Sequence, residues 1–292
     1  MISQNLAVST ARLSDYLELA KLRLVGLVIL SMVVGFYLGS EGPMNAGLFW
    51  ICFLGTGFVA AGSMALNQWM ERREDARMQR TLSRPLPAGR LQTQEAFLFG
   101  LFLSAAGLLA LYFCVNRAAA LLALTTLVSY LWLYTPLKRK TTLCTIVGAV
   151  PGAIPPLIGW AAAAGKPNDQ AWILFVIIFF WQMPHFLAIA WMYRKDYAAA
   201  EFRMLSVLDP TGAPVARQIL LYALALLPVS LLPSLAGMTG PFYFLGALGL
   251  GLGFCVLCLS GLKDIQARAP LIFRASILHL SLLLILMVLN KS

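Results

Sequence analysis

Charge is scarce in this sequence: Asp, Glu, Lys and Arg supply 12% of its 292 residues, while 60% are hydrophobic. Soluble domains carry about a quarter charged residues, so a water-soluble globular architecture is excluded. Polar stretches long enough for a separate soluble domain are missing too, the longest connections lying near 71–93 and 194–216. The apolar stretches are unbroken, without the residue-by-residue alternation of a transmembrane barrel. Histidine is nearly absent, with two residues, His185 and His279. Of the five cysteines, Cys255 and Cys258 form a CxxC, but no second pair or nearby His completes a metal site. They read as packed thiols. The opening MISQNLAVSTARLSD is polar, and no small-residue cleavage site follows a short apolar core, so no cleavable secretory signal is expected.

What is abundant is apolar length. A hydrocarbon core about 30 Å thick is crossed by ~20 apolar residues in a helix, and within it each backbone group must find its partner inside the protein. Nine spans are expected, at 24–40, 48–70, 94–113, 119–136, 143–162, 170–193, 217–236, 242–260 and 272–290, the first extending back as far as Leu17. The predicted fold is all-α: a polytopic membrane bundle of about nine transmembrane helices around a central cavity that opens near the cytoplasmic side. A single domain covers 1–292, with spans 1–4 and 5–8 as a weak internal repeat.

The loops sort their charge. Nineteen of the 22 Lys and Arg residues fall on one side of these spans, leaving Arg117, Lys166 and Lys291 on the other. Positive charge stays inside, which predicts an N-terminus on the cytoplasmic side (or the matrix side, in an organelle) and an outer C-terminus; a bacterial inner membrane is the expected setting. The net charge of +10 follows from this sorting, so no nucleic-acid partner is inferred; membrane lipid is the surrounding medium.

One span ends in an unusual stretch, ALNQWMERREDARMQRTLSRPLPAGR, from Ala65 to Arg90. Asn67, Glu71 and Asp75 are spaced i, i+4, i+8, which keeps them on one helical face over ~12 Å. Mg²⁺ takes oxygen ligands and is commonly held by one or two carboxylates plus substrate phosphates. Arg80 and Arg84 beyond could grip phosphate oxygens with planar, paired donors. The alternative is a solvated helix end with local ion pairs, and Arg72, Arg73 and Glu74 are expected to face water. A stripe that starts inside an apolar span is nonetheless a functional candidate. A second polar cluster, Tyr193, Arg194, Lys195, Asp196 and Glu201, ends the sixth span at the same membrane face. Two acidic ends facing one cavity suit two Mg²⁺ ions bridged by a diphosphate leaving group.

These residues carry a resemblance. NQWMERREDARMQRTLSRPLPAGR resembles the first signature of the UbiA superfamily of intramembrane prenyltransferases, Asn-x-x-x-Asp-x-x-x-Asp. LKRKTTLCTIVGAVPGAIPPLIGW and WQMPHFLAIAWMYRKDYAAAEFRMLSV resemble its protoheme IX farnesyltransferase (heme O synthase) branch. The resemblance implies transfer of farnesyl from farnesyl diphosphate to a vinyl group of protoheme (heme B), with water addition, giving heme O and diphosphate. It implies Asn67, Glu71, Asp75 and Asp196 as catalytic metal ligands, and Arg80, Arg84, Lys138, Arg139 and Lys195 around the diphosphate. His185, in Pro-His-Phe, becomes the candidate heme contact, while His279 is expected to make an interhelical hydrogen bond. Heme A synthase or a terminal oxidase is the implied recipient of the product. Glu71 stands where the superfamily has Asp, and Ala200 where the generic second motif has a further Asp, with Glu201 one position on. Leu22, Cys144 and Ser206 stand where the branch often has Pro, Asn and Pro. Two other readings compete: a prenyltransferase of the same fold acting on an aromatic quinone precursor, and a secondary transporter, which would place ionisable groups near mid-membrane.

Overall fold

A computed structural model describes residues 12–292; the opening stretch, on which the absence of a cleavable signal was expected, lies mostly outside the described residues. Among the described residues nine helices are long and apolar enough to cross a membrane. They are α1 (Leu22–Gly39), α2 (Ala46–Met70), α3 (Thr93–Cys114), α4 (Arg117–Leu137) and α5 (Cys144–Ala164), then α6 (Asp169–Met192), α7 (Ala213–Leu235), α8 (Pro241–Ser260) and α9 (Ile265–Leu289). The one bridge outside helices, among the described residues, pairs Thr239 with Lys291. The protein is an all-helical integral membrane protein.

Local chemistry sets the helix starts. Asn45, Asn116, Asn168 and Asp264 each accept a hydrogen bond from the backbone N–H three residues on, satisfying a donor that the first turn leaves free. Gln92 and Glu95 cap α3 reciprocally. Two expectations shift. Residues 12–20 are helical, but Lys21 adopts φ +51° and separates them from α1, so the first span does not run back to Leu17. The last span starts at Ile265 rather than 272, because Arg268, Pro270 and Arg274 give its first turns a polar, loop-like sequence.

Small residues let backbones meet, as is usual without a hydrophobic drive between helices. α1 lies on α5 with Gly35 against the Pro156 carbonyl and Gly159 against that of Met32; Gly62 and Gly107 play the same part between α2 and α3. The apolar interior has two principal centres, one drawn from α1–α5 and one mainly from α5–α9. α5 bends at Ile154, between Pro151 and the Pro155–Pro156 pair, where prolines remove donors. α4 contains a π-helical turn, Ser129–Tyr134, a rare conformation that gathers at functional positions.

Candidate active site

The helix bearing the acidic stripe does not run straight through it. α2 ends at Met70, Glu71 takes φ −93°, ψ 11°, and a four-residue helix, Arg72–Asp75, follows. Yet Glu71 N donates to Asn67 O at 2.9 Å and Asp75 N to Glu71 O at 2.8 Å. The i+4 ladder survives the bend, so the three side chains keep one face. All are buried, with exposures of 2%, 7% and 1% for Asn67, Glu71 and Asp75.

Each buried carboxylate has a cation. Arg84 clasps Asp75 with 2.7 Å to both oxygens. Lys138, just beyond α4, reaches Glu71 at 2.7 and 3.0 Å. Arg139 pairs with Glu74, which is buried rather than facing water as expected. The correction has a simple cause: the bend after Met70 turns Glu74 inward beside Asp75. Burial alone would lower the Lys138 pKa; the Glu71 carboxylate reverses this and raises it. Such pairs are not a large source of stability, because desolvation offsets their attraction. They hold charge ready inside the protein.

The π turn of α4 completes this wall. Asn67 Nδ2 donates to Thr135 Oγ1 at 3.1 Å, and that hydroxyl donates to the Tyr130 carbonyl at 2.9 Å. Tyr130 and Tyr134 stack with centroids 5.5 Å apart, and the Lys138 ammonium lies 4.5 Å from the Tyr134 ring. Sequence reasoning gave no sign of this turn. It also missed Lys21, which the left-handed backbone before α1 swings toward the cluster. Burial and the nearby Arg84 lower its pKa to about 7, opposed by Asp75 and Glu71. Its place immediately before an apolar run was the available signal, masked by the general excess of basic residues on that face.

The second cluster is tied to the first through the loop after Asp75. Asp196, in the short helix Arg194–Ala199 beyond α6, accepts the Gln79 backbone N–H at 2.9 Å. The Arg80 guanidinium sits 4.9 Å from the Tyr193 ring and 5.8 Å from that of Tyr197. Arg77 pairs with exposed Glu201 at 3.1 Å, and Arg203 N donates to the Lys138 carbonyl at 2.8 Å. Glu201 is thus a surface tie. The structure brings Asn67, Glu71, Asp75, Arg84 and Lys138 together and joins Asp196 to them through Gln79. Arg80 is exposed and stacked on tyrosines, Arg139 is engaged with Glu74, and Lys195 is exposed with no ion pair among the described residues.

The two histidines differ. His185 Nδ1 lies 2.8 Å from Ser276 Oγ on α9, and its ring stacks on Trp181 at 5.0 Å. His279 packs beside Phe254 and against the Leu250 backbone of α8, the kind of neighbour expected for an interhelical bond, though neither ring nitrogen makes a hydrogen bond of good geometry.

No group of three Asp, Glu, His or Cys residues gathers tightly enough to hold an ion by itself among the described residues. An amide and two carboxylates on one buried face still fit Mg²⁺, which keeps waters and shares its coordination with phosphate oxygens. A membrane-embedded helical bundle with buried acids and bases at one end has the architecture of an intramembrane prenyltransferase. The UbiA prenyltransferase family model matches residues 28–283, and the chain belongs to that family. A protein from Solibacter usitatus (strain Ellin6076) named protoheme IX farnesyltransferase is 46% identical, the match covering 95% of this chain and 98% of that one. One of the same name from Opitutus terrae is 45% identical, covering 97% and 96%. Among solved structures, a UbiA homologue from Archaeoglobus fulgidus bound to GPP and Mg²⁺ is similar at a TM-score of 0.67 and 14% identity, covering 94% of this chain and 99% of that one.

Proposed function

We propose that this chain transfers the farnesyl group of farnesyl diphosphate to a vinyl group of protoheme, with water addition, releasing heme O and diphosphate. The identity of the acceptor rests on similarity across almost the whole length to relatives named protoheme IX farnesyltransferase. The chemistry rests on one observation: a buried amide and two buried carboxylates on one face, each carboxylate already matched by a cation.

In this reading Asn67, Glu71, Asp75 and Asp196 would hold Mg²⁺, with two ions serving the diphosphate. Bound there, Mg²⁺ stabilises the negative charge that builds on the leaving diphosphate. Arg84 and Lys138 exchange their carboxylates for phosphate oxygens when substrate arrives. Arg80, Arg139 and Lys195 add donors at the rim. The Tyr130–Tyr134 pair turns aromatic faces toward the cluster, suited to a nearby cation. His185 contacts the heme.

The same reading places the site on the cytoplasmic side of a bacterial inner membrane, with the N-terminus inside, the C-terminus outside, and a heme A synthase or terminal oxidase taking the product. It treats the chain as one domain in which helices α1–α4 and α5–α8 repeat. Support comes from the parallel endings of α2 and α6, each capped at its start by Asn and followed by a break and a short helix.

The test is incubation of purified protein with protoheme, farnesyl diphosphate and Mg²⁺, then mass analysis of the porphyrin. A farnesylated, hydrated porphyrin that disappears with chelator is expected. Product from hydroxybenzoate but none from protoheme would overturn the acceptor. Solute movement across vesicles without any prenyl transfer would favour the transporter.

A further inference from the structure

A neutral imidazole carries one proton, and the nitrogen that holds it decides whether the other can bind a metal. For His185 the surrounding hydrogen bonds settle the matter. Its Nδ1 lies 2.8 Å from Ser276 Oγ. A serine hydroxyl has a single proton, and Ser276 already directs its own to the Phe273 carbonyl, 2.7 Å away. Two oxygens at that distance need a proton between them, and a carbonyl has none to give. Ser276 Oγ therefore accepts from the ring, and Nδ1 is the donor. The proton on Nδ1 leaves Nε2 with a bare lone pair.

The ring is also held in place. Trp181 stacks on it at 5.0 Å and an interplanar angle of 25°, and Phe273 lies 4.9 Å from it. Trp181 is fixed in turn by its Nε1, which donates to the Ser276 carbonyl at 2.6 Å. Ser276 thus bonds α6 twice, once through its side chain and once through its backbone. Among the described residues Nε2 has no hydrogen-bond partner, and it is not sealed in as the nitrogens of His279 are.

We propose that Ser276 is a positioning residue which locks His185 in the Nδ1-protonated tautomer and presents Nε2 to the iron of protoheme. The proposal rests on the reading of protoheme as the acceptor. Metal-binding histidines commonly donate their second N–H to an oxygen, which fixes the ring plane and raises the basicity of the ligating nitrogen. Here that oxygen belongs to a neighbouring helix, so heme contact depends on how α9 packs against α6.

The tautomer can be read with no ligand present. The full chain, labelled with ¹⁵N at its two histidines, gives ring-nitrogen shifts that distinguish a protonated from a bare nitrogen; His279→Asn and His185→Asn assign them independently. Protonated Nδ1 and bare Nε2 at His185 are expected, and the reverse assignment overturns the proposal. With ferrous protoheme, resonance Raman should show an iron–histidine band that His185→Ala abolishes. Ser276→Ala should lower its frequency and weaken heme binding ~10-fold, with Ser276→Thr restoring both. A band indifferent to His185→Ala also overturns the proposal. The expected tautomer and band, found in protein that makes no heme O from farnesyl diphosphate, would uphold the proposal while sinking the enzymatic reading.

Discussion

Asp75 and Glu71 each hold a basic partner, which under the proposed reaction would have to be exchanged for substrate. Asp75 is the more enclosed of the two, and both its oxygens are occupied by Arg84. On the proposed reading, Asp75→Asn keeps the shape but removes the negative charge that would bind Mg²⁺. Its kcat is expected to fall on the order of 10²-fold or more, with thermal stability changed far less, measured by heme O formation beside a melting curve. Lys21 makes a different test. Its folded pKa is about 7 against an ordinary 10.5, so between those values the unfolded chain binds a proton that the folded chain lacks. Stability consequently rises with pH across that window. Lys21→Met should raise the melting temperature most below pH 7, and its advantage should vanish above pH 10.5. Added diphosphate charge favours the ammonium, so farnesyl diphosphate binding at pH 8 should take up a proton. Calorimetry in two buffers of different protonation enthalpy reads it, and Lys21→Met should abolish it. Lys21 was not legible as a site residue, because nothing in a sequence separates a loop lysine from one turned inward by a left-handed backbone.

Among the elements, the spans were legible and their interruptions were not. Apolar length dictates a helix in lipid, and eight of the nine predicted starts fall within a few residues of those observed. The break at Glu71, the π turn at Ser129–Tyr134 and the inward Glu74 depend on how α2, α4 and the loop to α3 settle on one another. The acidic stripe survived the break because its i+4 hydrogen bonds did, which is why spacing alone located Asn67, Glu71 and Asp75 on one face. Close helix approach is equally a property of pairs. A Cβ at Gly159 would fall 2.0 Å from the Met32 carbonyl oxygen, whereas one at Gly249 meets nothing within 4 Å. Gly159→Ala should force α1 from α5 and destabilise the protein by roughly 1–3 kcal/mol. Gly249→Ala should be neutral or stabilising by up to about 1 kcal/mol, since alanine is the better helix former. Thermal melting of the two variants in one detergent makes the comparison, and equal effects would mean that α1 and α5 are less tightly joined than described.

For the molecule as a whole, the two ends are chemically unlike. One carries the acid–base cluster, the loops 71–93 and 194–212, and nineteen of the 22 Lys and Arg residues. The other is sparsely charged, and there the Lys291 ammonium donates to the carbonyls of Tyr37 and Ser40, joining the end of α9 to that of α1. In the proposed orientation, with positive charge kept on the cytoplasmic side, a diphosphate arriving from the cytoplasm would reach the cluster without crossing the bilayer. Cysteine placement allows a direct check. Cys114, at the sparsely charged end of α3, is exposed, while the other four thiols are buried. A maleimide that cannot cross membranes should label Cys114 in intact cells, and Cys114→Ser should remove the signal. In that background Ser83→Cys, in the exposed part of the loop beside the cluster, should react only after the membrane is opened. Labelling in the opposite order would turn the protein over and deliver both substrates from outside.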